Sequence, residues 1–83
     1  MNIKILGSGC KKCVALADNA TAAAQAAGIE FEIEKVTDIV AIAGFGIMST
    51  PGLVLNGHVA SAGRVLSAQE IGALLAKAEA SGS

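Results

Sequence analysis

Ile3, Ile5 and Leu6, around Lys4, form a short apolar run closed by Gly7-Ser8-Gly9. Its lack of alternation predicts a strand covered on both faces, as found inside α/β sheets. After Cys10-Lys11-Lys12-Cys13, an Ala-rich stretch from Val14 to Ala27 carries no Gly or Pro. Alanine's high helix propensity predicts a helix of about four turns, with the cysteines at its start and Gly28 as its stop. Ile29 to Glu34 then alternates apolar and acidic residues, the period of a strand with one covered face. Glu30, Glu32 and Glu34 on its outer face discourage pairing with another chain, so this strand is expected at a sheet edge.

Thr37-Asp38 offers a cap for a short second helix begun by Ile39, Val40, Ile42 and Ala43, which Gly44 and Gly46 end. Ser49-Thr50-Pro51-Gly52 introduces a third strand, Leu53-Val54-Leu55. Asn56-Gly57 is a two-residue hairpin signal, because both central residues of a type I′ turn need positive φ. His58 to Ala62 is therefore the antiparallel return strand. Ser67-Ala68-Gln69-Glu70 fits a capping box, and Ile71, Leu74, Leu75 and Ala78 fall on one face of a closing helix. The order strand, helix, strand, short helix, hairpin, helix implies a parallel pair joined by a right-handed crossover, plus two antiparallel strands. The predicted architecture is a single α/β domain over residues 1–80, a four-stranded mixed sheet with helices on both faces. Ser81-Gly82-Ser83 reads as a disordered tail.

Of 83 residues, 23 are Ile, Leu, Val or Phe, enough for one small core. Six basic and seven acidic residues give a net charge of −1 with no basic run beyond Lys11-Lys12, and Trp and Tyr are absent. Neither the electrostatic footprint nor the stacking platforms of a nucleic-acid binder are present. Met1-Asn2-Ile3-Lys4 does not open a secretory signal, and the densest apolar stretch, Ile39 to Phe45, falls far short of the ~20 residues that cross a bilayer. The expectation is a soluble, cytoplasmic monomer in a reducing compartment.

In that setting Cys10 and Cys13 are poorly explained as a staple. A cross-link spanning two intervening residues removes less unfolded-state freedom than the ~3 kcal/mol of a 15-residue loop. Their place at a helix start points to chemistry, because the thiolate is the reactive form and unpaired N–H groups with the positive dipole end favour an anion by ~0.3–1 kcal/mol. Lys11 and Lys12 add positive charge, although a merely solvated helix start would look the same. Cys10, at the exposed edge, is the better nucleophile. Cys13, one turn in and followed by Val14, is the better resolving thiol, within reach of a mixed disulfide on Cys10.

Cys-x-x-Cys after a first strand, Thr50-Pro51 before the third, an Asn-Gly hairpin and a closing amphipathic helix together resemble the thioredoxin/glutaredoxin superfamily. More narrowly, the chain looks like the small thioredoxin-like proteins called redox-active disulfide protein 2, over about residues 2–80. The resemblance implies a minimal thioredoxin-like fold, β-α-β-α-β-β-α, and a protein-disulfide reductase or dithiol electron carrier. Its redox group would be the Cys10–Cys13 disulfide, with no other cofactor and no metal. It further implies a cis Thr50-Pro51 bond with Pro51 beside Cys10, and Thr50 backbone pairing with an extended substrate segment. The implied partners are disulfide-containing substrate proteins and a separate reductase such as thioredoxin reductase, with no membrane or nucleic acid. The chain departs from ordinary thioredoxins in having Gly9 rather than Trp before the first cysteine and two lysines rather than Gly-Pro between the pair. The first strand also offers no carboxylate to serve as the buried acid of larger thioredoxins. Ala60-Ser61-Ala62-Gly63-Arg64 lacks the Gly-Gly and acidic pair with which glutaredoxins hold glutathione.

Two other functions use the same cysteines. A thiolate pair suits Cu(I), Zn or arsenite, although a closed zinc site needs four ligands and only Cys10, Cys13 and His58 are at hand. Small copper carriers place Met where this chain has Ser8, and end in a strand rather than a helix. A redox-sensing module without turnover is the third reading. His58, after a hairpin turn, reads as an exposed residue, Met48 as loop or core packing, and Gly7 and Gly9 as turn residues.

Overall fold

The computed structural model describes residues 1–7, 9 and 11–82, with side chains as far as residue 78. Strands β1 (Asn2–Leu6), β2 (Glu32–Val36), β3 (Gly52–Leu55) and β4 (His58–Ala62) join helices α1 (Lys11–Ala27), α2 (Ile39–Gly44) and α3 (Ala68–Gly82) in the order β1-α1-β2-α2-β3-β4-α3. The sheet order is β2-β1-β3-β4, with β1 parallel to β2 and antiparallel to β3, and β3 antiparallel to β4. This is the mixed sheet and element order expected from the sequence. Cys10 and Ser8 lie outside the described residues, as does Ser83 of the expected tail; the backbone of α3 is helical through Ser81 and Gly82.

Alternation along β1 and β3 divides the core between two faces. Ile3 and Ile5 pair with Leu55 and Leu53, and all four are buried with Leu16, Ile71 and Leu75 under α1 and α3. On the other face Leu6 and Val54 pack with Ile42 of α2, flanked by Val36, Phe45 and Ile47. β1 is thus covered on both sides, as its unbroken apolar run implies. Lys4 fits by setting its ammonium 5.5 Å from the centre of the Phe45 ring, a cation–π contact.

The buried positions of α1 are Cys13, Leu16, Ala17, Ala20, Ala23 and Ala24, an i, i+3, i+4, i+7 stripe. Four of the six are alanines, whose small side chains let α3 pack close. Asn19 fixes the approach, its Nδ2 donating to the Leu66 carbonyl at 2.8 Å. Gly28, at φ 70°, ends the helix in the left-handed conformation that glycine adopts without strain.

β2 begins at Glu32, three residues later than the alternation from Ile29 predicts, and runs on to Val36. Its partner sets the limit. Asn2, the first residue of β1, pairs with Glu32, and Glu32 N–H donates to the Met1 carbonyl at 2.9 Å, so Ile29 to Phe31 lie beyond the end of β1. Ile29 and Phe31 still pack against the core.

The local signals at the other junctions act as their chemistry requires. Asp38 caps α2 by accepting from Val40 N–H at 3.1 Å. Asn56 (φ 51°) and Gly57 (φ 84°) form the β3–β4 turn with both positive φ values. Ser67 Oγ accepts from Glu70 N–H at 3.1 Å while Glu70 Oε1 accepts from Ser67 N–H at 3.2 Å, the reciprocal bonds of a capping box. The Glu70 carboxyl is held below its ordinary range, first by the Ser67 backbone N–H, then by the Ser67 side chain, with a smaller contribution from Arg64.

A carboxyl with a lowered folded-state pKa contributes stability above the unfolded carboxylate range and loses it as pH falls through the lowered value. Urea denaturation at neutral pH is expected to show Ser67→Ala less stable by about 1 kcal/mol. The gap between the wild type and Glu70→Gln should close on acidification through that range; a gap that stays constant with pH would contradict the reciprocal cap.

Candidate functional site

The sheet brings three chain segments to one end. β1 finishes at Leu6, which pairs with Gly52, so Thr50 and Pro51 enter β3 beside the residue that follows β1. That residue, Gly7, donates its N–H to the Val36 carbonyl at 2.9 Å, which pins it to β2. The first turn of α1 then returns over it. Cys13 Sγ occupies the place a Gly7 side chain would need, and a Cβ built on Gly7 would lie 3.5 Å from Cys13 Cβ and 3.7 Å from Thr50 Cβ.

Cys13 is buried, 5% exposed, in the third position of α1, and Lys11 and Lys12 ahead of it are exposed. The first turn carries no acidic residue, so the helix dipole and two ammonium groups give this end positive character. Cys10 directly precedes α1 in the chain, and its position is outside the described residues.

The Thr50-Pro51 bond is cis, the isomer that the family resemblance implies. Thr50 is exposed and Pro51 buried. Two glycines hold this loop. Gly63, at φ 76°, donates its N–H to the Pro51 carbonyl at 2.8 Å, and a Cβ there would come 2.8 Å from Ser49 Cβ. Gly52 lies beneath Ile47, whose Cδ1 would be 2.6 Å from an added Cβ. The loop from Phe45 to Thr50 is therefore laid directly on the sheet.

Beside Cys13 is a small cavity of about 130 Å³ lined by Ile5, Gly7, Cys13, Val14, Lys35 and Thr37. Lys35 and Thr37 come from the end of β2, brought here because Ile5 pairs with Lys35 in the parallel register. Sequence reasoning missed both, and read Gly7 as a plain turn residue; the adjacent run of Gly7 to Cys13 carried no mark of the close contact. His58 lies elsewhere. It pairs with Leu55, which pairs with Ile3, so it lies two strands across from β1 and is displaced from Gly7 by four residues, roughly 13 Å, along the strand direction as well. Met48 is fully exposed in the loop before Thr50, not packed in the core.

A methyl group at residue 7 must displace Cys13 Sγ or the strand end. Gly7→Ala is expected to lower unfolding stability by about 1–3 kcal/mol, the usual cost of overpacking a filled site. Urea denaturation of the reduced protein checks this, and an unchanged midpoint would show that the sulfur can move aside freely.

A family model described as a thioredoxin domain matches residues 1–76. A thioredoxin of Methanothermobacter thermautotrophicus is 39% identical over 75 residues, spanning 90% of this chain and 97% of that protein. A thioredoxin of Methanocaldococcus jannaschii is 38% identical over 69 residues, 83% of this chain and 79% of the relative. With the fold, the strand-to-helix position of Cys13 and the cis proline in agreement, the chain belongs to the thioredoxin family.

Proposed function

We propose that the protein is a thiol–disulfide oxidoreductase that reduces or exchanges disulfides in other proteins through Cys10 and Cys13. The observation that carries this reading is the convergence of Cys13, Thr50 and cis-Pro51 at one end of the sheet, in a chain of the thioredoxin family. Cys10 attacks as a thiolate, forming a bond to one substrate sulfur and releasing the other as a thiol. Cys13 then attacks Cys10 Sγ, so the mixed disulfide breaks, the Cys10–Cys13 bond forms, and two electrons have passed to the substrate. The oxidised pair is returned to the dithiol by a separate reductase, such as thioredoxin reductase.

The surroundings suit these steps. Lys11, Lys12 and the start of α1 favour the attacking thiolate, while burial of Cys13 keeps the resolving sulfur from outside reagents. Thr50, exposed at the entrance to β3, offers its backbone to an extended substrate segment. Met48, Ile39 and Val40 are large apolar side chains left exposed in the loop before Thr50 and in the first turn of α2, and supply an apolar surface for such a segment. No helix among the described residues is long and apolar enough to cross a membrane, and the reading places the protein in the cytoplasm. His58 stands at the opposite end of the sheet, so it adds no third ligand to a thiolate pair, which disfavours a closed zinc site.

The order of attack is tested by trapping. Incubated with a disulfide-containing protein substrate such as insulin, Cys13→Ser is expected to accumulate a mixed disulfide through Cys10, seen as a mass adduct, while Cys10→Ser stays unmodified. Both variants should lose catalytic insulin reduction. Equal trapping by the two, or tight stoichiometric Cu(I) or Zn binding without any reductase activity, would overturn the assignment.

A further inference from the structure

Among the described residues, the least covered of the large apolar side chains are Ile39, Val40 and Met48, at 78%, 74% and 101% exposure. All three lie on the segment from Ile39 to Thr50, which carries no charged residue and leads directly into cis-Pro51. Ile47 turns inward over Gly52 and packs on the cluster of Leu6, Ile42 and Val54, and the next side chain, Met48, stands in solvent. An exposed apolar residue is ordinary by itself. Met48 differs from Ile39 and Val40 in carrying an oxidisable sulfur at the entrance where a substrate segment would lie. Met1, the chain's other methionine, packs against the core beneath α1 and α3.

We propose that Met48 is a reversible oxidation site: its thioether takes one oxygen from a hydroperoxide, and the sulfoxide weakens the docking of protein substrates beside Thr50 and Pro51. This rests on the exchange reading and adds to it a control that acts on docking, not on the dithiol. The Met48 sulfur attacks the terminal oxygen of the hydroperoxide. An S–O bond forms, the O–O bond breaks, and the other half departs as water or an alcohol after taking up the proton of the transferred oxygen. Sulfur loses two electrons and the hydroperoxide gains them, so no further reactant is needed. While Cys10 and Cys13 are joined as a disulfide, they offer no thiolate to compete for the oxidant.

The change alters what the surface can accept. A thioether is flexible and polarisable, and suits surfaces that meet varied partners. A sulfoxide is polar, and covering it with an apolar segment leaves its oxygen without a partner. Met48 belongs to neither core cluster, so the fold bears none of that cost. The loop stays anchored through Ile47 over Gly52 and the Gly63 bond to the Pro51 carbonyl.

The test oxidises the disulfide form with hydrogen peroxide, removes the peroxide, and reduces the cysteines with dithiothreitol, which leaves methionine sulfoxide in place. Peptide mass analysis is expected to show one added oxygen on Met48, with Met1 largely unmodified and the urea midpoint unmoved. Reduction of insulin by the treated protein should slow about fivefold, the lower end of the cost of covering an unpaired polar group, while reduction of the small hydroxyethyl disulfide stays within about twofold. Methionine sulfoxide reductases acting on both epimers should restore the insulin rate. Met48→Leu, compared with itself before and after peroxide, should show no change, and Met48→Gln should reduce insulin more slowly than Met48→Leu without any peroxide. A Met48 left unoxidised where N-acetylmethionine is converted, an insulin rate indifferent to the sulfoxide, equal slowing with both disulfides, a lowered urea midpoint, or a Met48→Leu protein equally sensitive to peroxide would overturn the role of Met48 and leave the exchange reading intact. Untreated wild type that reduces neither disulfide would overturn the exchange reading, and with it the docking effect of the sulfoxide.

Discussion

The contact on which the site depends is that of Cys13 Sγ against the backbone of Gly7. It joins the end of the central strand to the first turn of the longest helix with no side chain between them. Since Gly7 is also bonded to Val36 and lies beside Thr50, this one close approach decides how near the helix start, the parallel edge and the cis-proline loop come to one another. A residue of any other type at position 7 would hold the helix off the sheet end. The cavity and the buried sulfur both follow from that separation.

The alanine stripe of α1 supports the same geometry from further along. Ala17, Ala20, Ala23 and Ala24 are all buried, so α1 can lie low against the sheet and α3 close beside it. Larger side chains would gain apolar burial but lift the helix, and its first turn would rise with it. In a chain of 83 residues, helix-to-sheet distance is as much a part of the site as the side chains that line it. The loop before Pro51 uses the same device, since Gly52 beneath Ile47 and Gly63 against Ser49 both replace a side chain with close backbone packing.

Features governed by neighbours in the chain were legible in the sequence. The Asn56-Gly57 turn, the Asp38 cap and the Ser67–Glu70 box each need only residues within three positions, and each formed where its chemistry indicated. The order of strands and helices was equally readable, since it follows from hydrophobic period. What depended on partners distant in the chain was not. Ile29 to Phe31 alternate as a strand should, yet β1 does not extend far enough to pair with them. Nothing in the sequence singled out Lys35, which the register sets beside Ile5 at the cavity next to Cys13, and Gly7 looked like a turn until α1 folded back onto it. Cys13 was identified from motif and placement; its depth and its neighbours came only with the packing.

The division of the core has a bearing on how the molecule opens. Among the described residues, twelve buried ones form the cluster beneath α1 and α3, and three, Leu6, Ile42 and Val54, form the one beneath α2. Local opening begins where fewest apolar contacts must be broken, so the six-residue α2 and the loop to Thr50 constitute the weaker cooperative unit, while α1, which carries Cys13, is anchored in the stronger through Leu16 and its alanines. One wall of the site can therefore loosen and reform on its own. The buried sulfur keeps its seat against Gly7 while the opposite wall is free to shift.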